Sequence, residues 1–398
     1  MNLNETPSAE RIHIGFFGCT NSGKSSLVNA VTGQNLSVVS DIKGTTTDAV
    51  KKAMELLPLG PVVMIDTPGY DDESLLGEKR VAAAEKILHK CDIAVLVTTH
   101  PVLNDIESRL ISLFKKNGTS YLIAVNKSDL MDSFPKNEEN IIYISALKKK
   151  GIEELKNALG KCVKNEKKDI NFVGDLIGPG NIVVLVTPID SAAPKGRLIL
   201  PQQLAVRDII DFGAVAVVTK EDVLENTLAS LKNPPGLVIT DSQVFKMVNE
   251  IVPKDISLTS FSILMARYKG FLETAVNGVK KIDSLKDSSR VLISEGCTHH
   301  RQCDDIGTVK LPKMLKKYTQ SDLDFEWSSG NGFPGDLSKY DLVIHCGGCM
   351  VNDREMEYRM NSAQQQGIAF TNYGTALAYM QGILPRVIAP IPELKSLV

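Results

Sequence analysis

The chain has 398 residues, with 45 lysines and arginines against 47 aspartates and glutamates, a formal net charge of -2 and 43% hydrophobic residues. This ordinary globular composition excludes a disordered chain, a collagen and a coiled coil. The near-neutral balance provides no chain-wide basic surface for nonspecific nucleic-acid binding, although it does not exclude RNA. At roughly 100 to 200 residues per domain, the length predicts two to four domains.

The first ten residues contain two glutamates and no apolar segment typical of a signal peptide. No apolar run approaches the roughly 18 to 20 residues that are needed to span a bilayer. Seven cysteines are sparse for this length, and their odd number indicates reduced thiols rather than a disulfide framework. We therefore expect a soluble cytoplasmic protein with no membrane partner.

Short apolar runs alternate with helical patterns in the first part of the chain. The runs that indicate buried strands are Ile12–Phe17, Val62–Ile65, Ile93–Val97, Tyr121–Val125 and Ile141–Ile144. This alternation predicts an α/β domain, with a mostly parallel sheet and helices on both of its faces, over residues 1–170.

A polar stretch at 164–169 and a Gly-Pro-Gly at 178–180 then mark a boundary. Alternating strand and helix patterns predict a small α/β domain at 171–265. It contains no cysteine, no histidine and no phosphate-binding loop, so we expect a role in assembly. A third α/β domain is predicted at 266–398, with strands at Arg290–Ser294, Asp341–His345 and Gly367–Thr371.

The segment Gly18–Ser25 fits the phosphate-binding pattern G-x-x-x-x-G-K-S, and it lies between a predicted strand and a predicted helix. In such a loop, backbone N–H groups surround the phosphates, Lys24 contacts the β and γ phosphates, and Ser25 binds Mg²⁺. The predicted nucleotide-binding residues of this segment are Gly18, Asn21, Ser22, Gly23, Lys24, Ser25 and Ser26.

Three more motifs follow in order, each after a predicted strand: Asp66-Thr67-Pro68-Gly69, Asn126-Lys127-Ser128-Asp129 and Ser145-Ala146-Leu147. The four motifs together resemble the G1, G3, G4 and G5 motifs of translation-factor-type GTPases. The resemblance implies GTP rather than ATP, because a carboxylate at Asp129 can accept hydrogen bonds from guanine N1–H and the 2-amino group. The predicted guanine-side residues are Asn126, Lys127, Asp129, Ser145 and Ala146.

The same resemblance implies the catalytic roles. Asp66 would hold Mg²⁺ through water, and the N–H of Gly69 would contact the γ-phosphate. Thr46, within a segment at 44–48 that looks like switch I, is the expected second Mg²⁺ ligand. Lys24, Thr46, Asp66 and Gly69 form the predicted catalytic set for hydrolysis of GTP to GDP and phosphate.

The residue types at two positions bear on the rate of GTP hydrolysis. Tyr70 stands where small GTPases that resemble Ras have a water-orienting glutamine, so we expect slow intrinsic hydrolysis. Asn21 stands where potassium-activated GTPases, such as the tRNA-modification GTPase, carry an asparagine that ligates K⁺. The alternative is an asparagine that only fits a tight turn.

Cysteines and histidines gather after two predicted strands of the third domain. Cys297-Thr298-His299 follows one strand, and His345-Cys346-Gly347-Gly348-Cys349 ends another. The carboxyl ends of strands in an open α/β sheet form a ligand crevice. On spacing alone, zinc and an iron–sulfur cluster are equally supported. A thiol redox pair is less favoured because no thioredoxin-like setting surrounds it.

The order of a GTPase domain, a small α/β domain and a C-terminal C-x-H…H-C-x-x-C pattern resembles the HydF family, the GTPase maturation factors of [FeFe]-hydrogenases. The resemblance implies a 4Fe-4S cluster on Cys297, Cys346 and Cys349. Its fourth, exchangeable ligand would come from His299, Asp305 or His345. A carboxylate would suit an exchangeable position, and a closed structural zinc site would not provide one.

The resemblance also implies partners. The protein would be a homodimer that receives a diiron precursor from the radical SAM maturases HydE and HydG and carries it to apo-[FeFe]-hydrogenase, under the control of GTP. The alternatives are an Era-like RNA or ribosome-assembly GTPase with a structural zinc module and a GTP-gated thiol oxidoreductase. Against the first, the chain shows no basic aromatic-rich patch and no KH-type G-x-x-G loop.

Overall fold

A computed structural model describes residues 6–33, 50–70, 84–131, 136–164, 171–188, 198–296, 306–330 and 332–397. The chain divides into two compact units, Met1–Lys168 and Asp169–Val398. Each unit is described by itself below.

The first unit contains a sheet whose described strands run in the order β2-β3-β1-β4-β5-β6. The strands are β1 Ile12–Phe17, β2 Val50–Leu56, β3 Gly60–Asp66, β4 Ile93–Thr98, β5 Ser120–Val125 and β6 Ile141–Tyr143. The helices are α1 Lys24–Thr32, α2 Asp105–Lys116 and α3 Ile152–Lys164, with a further helical segment at 84–88. All strand pairs are parallel except β2 with β3.

Two apolar cores cover the two faces of this sheet, as the sequence predicts for strands buried on both sides. Strand β2 was not predicted. It is an edge strand whose Val50, Lys51 and Glu55 are exposed, so it lacks a continuous apolar run. Its antiparallel pairing also places it outside the repeating strand and helix pattern.

In the second unit, the described strands form two parallel sheets, in the orders β10-β9-β7-β8 and β12-β11-β13-β14. The strands of the first sheet are β7 Ile182–Val186, β8 Val215–Thr219, β9 Leu237–Thr240 and β10 Ser257–Ser260. Those of the second are β11 Arg290–Glu295, β12 Asp324–Ser329, β13 Leu342–His345 and β14 Ala369–Asn372. The helices are α4 Leu200–Asp211, α5 Leu224–Ser230, α6 Phe245–Ile251, α7 Phe261–Tyr268, α8 Leu272–Gly278, α9 Leu311–Thr319, α10 Asp353–Gln365, α11 Tyr373–Met380 and α12 Leu384–Ile388.

The two sheets of the second unit share one hydrophobic core. Val184 and Val238 of the first sheet belong to the same buried cluster as Ile293 and Ile344 of the second. Helix α7 extends across residue 265, where the sequence places the division between the second and third domains. The division into domains 171–265 and 266–398 therefore stays a prediction from the sequence.

The carboxyl ends of the parallel strands carry the segments on which the functional predictions depend. The phosphate-loop segment follows β1, and Cys346 follows β13. None of the helices among the described residues is both long enough and apolar enough to cross a membrane.

Candidate functional site

The loop between β1 and α1 has a backbone that requires glycine at two positions. Gly18 has φ of 145°, and a Cβ there would lie 2.2 Å from the carbonyl oxygen of Val97. Gly23 has φ of 89°, and its Cβ would lie 2.3 Å from Nδ2 of Asn126. No side chain fits at either position, so the loop can pass close to its neighbours and direct backbone N–H groups toward a bound anion.

Lys24 and Ser25 begin helix α1 at the end of this loop. The buried ammonium of Lys24 donates hydrogen bonds of 2.9 Å to the carbonyl oxygens of Gly18 and Cys19, which hold it across the loop. Ser25 Oγ donates a hydrogen bond of 2.6 Å to Oδ2 of Asp66 at the end of β3. Hydroxyl and carboxylate oxygens are the ligands that Mg²⁺ prefers, so this pair fits the predicted metal site.

The segment after β3 contacts the phosphate loop directly. Tyr70 N–H donates to the Gly18 carbonyl at 3.3 Å, and Thr20 N–H donates to the Tyr70 carbonyl at 3.4 Å. A Cβ on Gly69 would lie 2.5 Å from Thr20 Oγ1, so only glycine permits this approach. The Tyr70 side chain is buried, and burial raises the pKa of its phenol, which keeps it neutral.

The predicted guanine-side residues lie on neighbouring loops that one buried side chain joins. Asn126 follows β5, donates from Nδ2 to the Ser22 carbonyl at 3.0 Å and accepts at Oδ1 from the N–H of Ala146 at 3.0 Å. The partly exposed carboxylate of Asp129 lies nearby, and a hydrogen bond from the buried hydroxyl of Ser145 lowers its pKa. The carboxylate is therefore charged and accessible at neutral pH, as an acceptor of guanine hydrogen bonds must be.

The structure describes three other predicted positions of the first unit, and a fourth lies outside the described residues. Asn21 is exposed and has φ of 63°, a conformation that asparagine tolerates in tight turns. Lys127 has φ of 61°, and Ser26 is exposed on α1. A cleft of about 570 Å³ opens beside the phosphate loop, lined in part by Asn21 and Lys127. Thr46 lies outside the described residues.

Cys346 begins the loop that follows β13, and its sulfur accepts two backbone hydrogen bonds. The N–H of Gly296 donates to Cys346 Sγ at 3.1 Å, and that of Gly348 donates at 3.4 Å. Gly348 has φ of 71°, and a Cβ there would lie 2.9 Å from Met356 Sδ. Backbone N–H donors favour the thiolate form of cysteine, which is the form that binds metal.

The two strands that precede the predicted cysteine segments, β11 and β13, are neighbours in the sheet. Ser294 of β11 pairs with His345 of β13, so the chain that leads to Cys297 emerges beside Cys346. Cys349 is partly buried and packs against the core that includes Met265 of α7. Cys297, His299 and Asp305 themselves lie outside the described residues. Within the described ranges, no three histidine, cysteine, aspartate or glutamate side chains are grouped as metal ligands.

His345 is fully buried, and protein groups occupy both of its ring nitrogens. Nδ1 lies 2.8 Å from the carbonyl oxygen of Cys346, and Nε2 lies 3.0 Å from Nη1 of Arg359. Burial, together with the positive charge of Arg359, lowers the pKa of His345 to about 3. Arg359 was not among the site residues predicted from the sequence, because its spacing of four from Glu355 on α10 indicates only an ordinary helical ion pair.

Family models match three parts of the chain. The hydrogen maturase F dimerization domain matches residues 172–270, and the hydrogen maturase F tetramerization domain matches residues 273–390. These two models together cover more than half of the chain. A model of the 50S ribosome-binding GTPase matches residues 13–127. This match and the observed sheet confirm the predicted P-loop GTPase fold of the first unit.

Individual relatives resemble part of the chain. GTPase Der of Clostridium acetobutylicum is 31% identical over 203 residues, which are 45% of this chain and 45% of that protein. The tRNA modification GTPase MnmE of Nitrosomonas europaea is 35% identical over 159 residues, 38% of this chain and 35% of that protein. The chain thus spans less than half the length of these curated relatives.

Two solved structures resemble part of the chain. The probable GTP-binding protein engB is 22% identical, with a TM-score of 0.32 over 39% of this chain and 99% of that one. The G domain of the T. maritima FeoB iron transporter is 20% identical, with a TM-score of 0.29 over 39% of this chain and 99% of that one.

Proposed function

Because the chain belongs to the hydrogen maturase F family, we propose that it is a GTP-hydrolysing scaffold that carries a diiron precursor to apo-[FeFe]-hydrogenase. The radical SAM maturases HydE and HydG would supply the precursor, and a 4Fe-4S cluster would hold it. The single observation that carries this proposal is the Cys346 sulfur with its two backbone N–H donors, in a chain that also has a GTPase unit.

The donor set fits an iron–sulfur cluster. Cys346 and Cys349 stand on one short loop, and the backbone at Gly296 contacts the Cys346 sulfur just before Cys297. Three thiolates are the soft ligands that such clusters take. We propose that Cys297, Cys346 and Cys349 hold the cluster and that His299 or Asp305 supplies the weak fourth ligand. When bound, the cluster would offer one exchangeable iron position to an external ligand.

His345 is the least favoured of the three candidates for the fourth ligand. A histidine that binds metal needs an available lone pair on a ring nitrogen, and the Nε2 of His345 already accepts a hydrogen bond from Arg359. Its Nδ1 donates to the Cys346 carbonyl and carries no lone pair in that state. Coordination would leave the guanidinium of Arg359, itself buried, with one donor unpaired.

The nucleotide site is proposed to act through the residues predicted from the sequence. Lys24 would exchange its two carbonyl partners for phosphate oxygens, and Ser25 with Asp66 would hold Mg²⁺. The neutral, buried phenol of Tyr70 cannot orient water as a glutamine carboxamide does, which supports slow hydrolysis. A K⁺ ion held by Asn21 would then supply positive charge near the phosphates.

The assembly domains of the family support a homodimer, and one exposed strand edge fits it. Among the described residues, β8 pairs only with β7. This strand leaves the apolar side chains of Val215 and Val218 exposed to water. An open strand edge invites pairing with a second strand, so we propose that β8 is the contact between two copies of this chain.

The experiment that tests the scaffold role is transfer. The chain is produced together with HydE and HydG, purified without oxygen and mixed with apo-hydrogenase, and hydrogen evolution is measured. We expect activation by the parent chain and none by a Cys346→Ser chain, since the serine removes a thiolate. A Cys162→Ser chain is the matched control, because Cys162 packs against the core of the first unit. Equal activation by all three chains would refute the role of the cysteine loop.

A further inference from the structure

A histidine and an arginine form a buried pair beneath the cysteine loop. His345 is 0% exposed and Arg359 is 1% exposed. Nη1 of Arg359 lies 3.0 Å from Nε2 of His345, and Nδ1 of His345 lies 2.8 Å from the carbonyl oxygen of Cys346. The two side chains therefore connect helix α10 to the backbone of the first cysteine in the loop.

The hydrogen-bond chemistry of this pair permits one arrangement. A guanidinium has only donors, so Nε2 of His345 must be the acceptor. A neutral imidazole with an unprotonated Nε2 carries its proton on Nδ1, and Nδ1–H then donates to the Cys346 carbonyl. The direction of both hydrogen bonds is thus set by Arg359, and it orients the peptide group of Cys346.

Arg359 is itself held in place by several groups. Its Nε and Nη2 donate to Glu355 Oε1 at 2.9 and 2.8 Å, and Nη2 also donates to the Gly330 carbonyl. The guanidinium lies over the ring of Phe333, at 5.2 Å from its centroid. Asn352 caps the same helix by accepting from the N–H of Glu355. A buried, paired and packed guanidinium is a rigid anchor for the histidine.

We propose that Arg359 and His345 are positioning residues that hold Cys346 and its loop in the geometry for cluster binding, and that His345 is not itself a ligand. The inference rests on the proposed function, because it concerns the cluster that the cysteines would hold. Its mechanism is local: the orientation of the Cys346 peptide decides whether the sulfur stays within reach of the Gly296 and Gly348 N–H groups.

Three substitutions test the pair. Arg359→Met removes the donor, and His345→Phe keeps a flat ring but removes both nitrogens. His345→Gln keeps an amide oxygen that can accept from Arg359 and an amide N–H that can donate to the carbonyl. Arg354→Met is the matched control, because Arg354 lies on the same helix and its partner is the exposed Glu357.

Iron retention is the first measurement. Each chain is reconstituted with iron and sulfide without oxygen, and the rate of iron loss to a chelator is followed. Loss of a supporting residue weakens metal affinity by about 10- to 100-fold, so we expect loss at least about 10-fold faster for Arg359→Met and His345→Phe. We expect the rate of iron loss from His345→Gln and Arg354→Met to stay within about 3-fold of the parent rate, which is less than the effect of about 10-fold expected when a supporting residue is lost. A parent-like rate for Arg359→Met would overturn the inference.

Two spectroscopic measurements separate positioning from ligation and from general structural damage. With ¹⁵N-labelled histidine, pulsed electron paramagnetic resonance should give the same nitrogen couplings for the reduced clusters of the parent and His345→Gln. In the apoprotein, hydrogen exchange at the Gly296 amide should be faster in Arg359→Met than in Arg354→Met. Loss of a nitrogen coupling in His345→Gln would show ligation by His345 and overturn the inference.

The outcomes also separate this inference from the proposed function. A parent chain that binds no iron would refute the cluster, and with it the inference. A parent chain that binds iron, with His345→Gln losing as much iron as Cys346→Ser, would refute only the inference. If Arg359→Met does not fold, Arg359→Lys takes its place in the test. Lysine keeps the positive charge but lacks the planar guanidinium with its several donors, so we expect iron loss faster than in the parent.

Discussion

Asn126 Nδ2 donates a hydrogen bond of 3.0 Å to the backbone carbonyl of Ser22, and this bond joins the guanine side of the site to the phosphate loop. The other end of the same carboxamide accepts from Ala146. Asn126 is buried, so its replacement leaves polar groups on both loops without a partner.

We expect Asn126→Ala to weaken GTP binding. An unpaired buried polar group costs about 1 to 3 kcal/mol, which corresponds to roughly 5- to 150-fold in affinity. Titration calorimetry with a nonhydrolysable GTP analogue measures the change. Asn117→Ala is the control, because its carboxamide bonds within the end of helix α2. An affinity that stays equal to that of the control would show that the two loops are not coupled through Asn126.

Asp129→Asn should exchange guanine for xanthine specificity. The carboxylate suits the two N–H donors of guanine, whereas an amide donor suits the 2-oxo group of xanthine. We expect GTP affinity to fall by about 10⁴-fold, the scale for a site that loses its hydrogen bonds to the base, and xanthosine triphosphate to bind instead. Competition binding with both nucleotides is the measurement, and unchanged preference would remove Asp129 from the base site.

The lowered pKa of Asp129 also predicts a pH dependence. The carboxylate is charged, and can accept hydrogen bonds, at pH values above its lowered pKa. It becomes protonated and loses this ability as the pH falls through that pKa. The first cause is the Ser145 hydroxyl, so in Ser145→Ala the pKa should rise and GTP affinity should begin to fall at a higher pH than in the parent. Identical profiles for both proteins would separate Ser145 from the carboxylate.

Asn21→Ala tests the potassium proposal. If Asn21 holds K⁺, the parent should hydrolyse GTP faster in KCl than in NaCl, and the substitution should remove the difference. Because φ is 63° at this position, Asn21→Gly is the paired variant: it keeps the turn but lacks the oxygen. Phosphate release in the two salts is the measurement. Equal rates of GTP hydrolysis by the parent in KCl and in NaCl would favour the interpretation that Asn21 only fits a tight turn.

Assembly through β8 predicts an effect of charge on this edge. Lysine on an edge strand opposes strand pairing, so Val218→Lys should shift the chain to assemblies of about half the mass. Val102→Lys adds the same charge at an exposed position of the first unit and serves as the control. Sedimentation velocity measures both. An unchanged mass for Val218→Lys would place the contact elsewhere.

The sequence predicted the strands inside the described sheets and the edge strands β6 and β14, but it missed the edge strands β2, β10 and β12. Ile93–Val97 stands out because every residue is apolar, and it became β4. In contrast, β12 lies at a sheet edge, includes Asp324 and Glu326, and exposes Asp324 and Trp327, so it has no continuous apolar run. The motif order located the phosphate loop, since each motif follows a strand end.

The buried pair beneath the cysteine loop, His345 and Arg359, could not be predicted in the same way. Arg359 lies 14 residues after His345 on a separate helix, and only the fold of the chain between them brings its guanidinium to the imidazole. The sequence placed His345 among the candidate ligands because histidine beside cysteine is a common metal pattern. Its burial and its two hydrogen bonds depend on the tertiary fold, which no local spacing encodes.

The measurement that tests the central proposal most directly is the metal content of the chain after anaerobic reconstitution with iron and sulfide. We predict about four iron and four sulfide per chain, with little zinc and a brown colour, as a 4Fe-4S cluster requires. Cys346→Ser and Cys349→Ser chains should lose most of this iron, while Lys24→Ala should keep it and lose GTP hydrolysis. Stoichiometric zinc without iron in the parent chain would contradict the account.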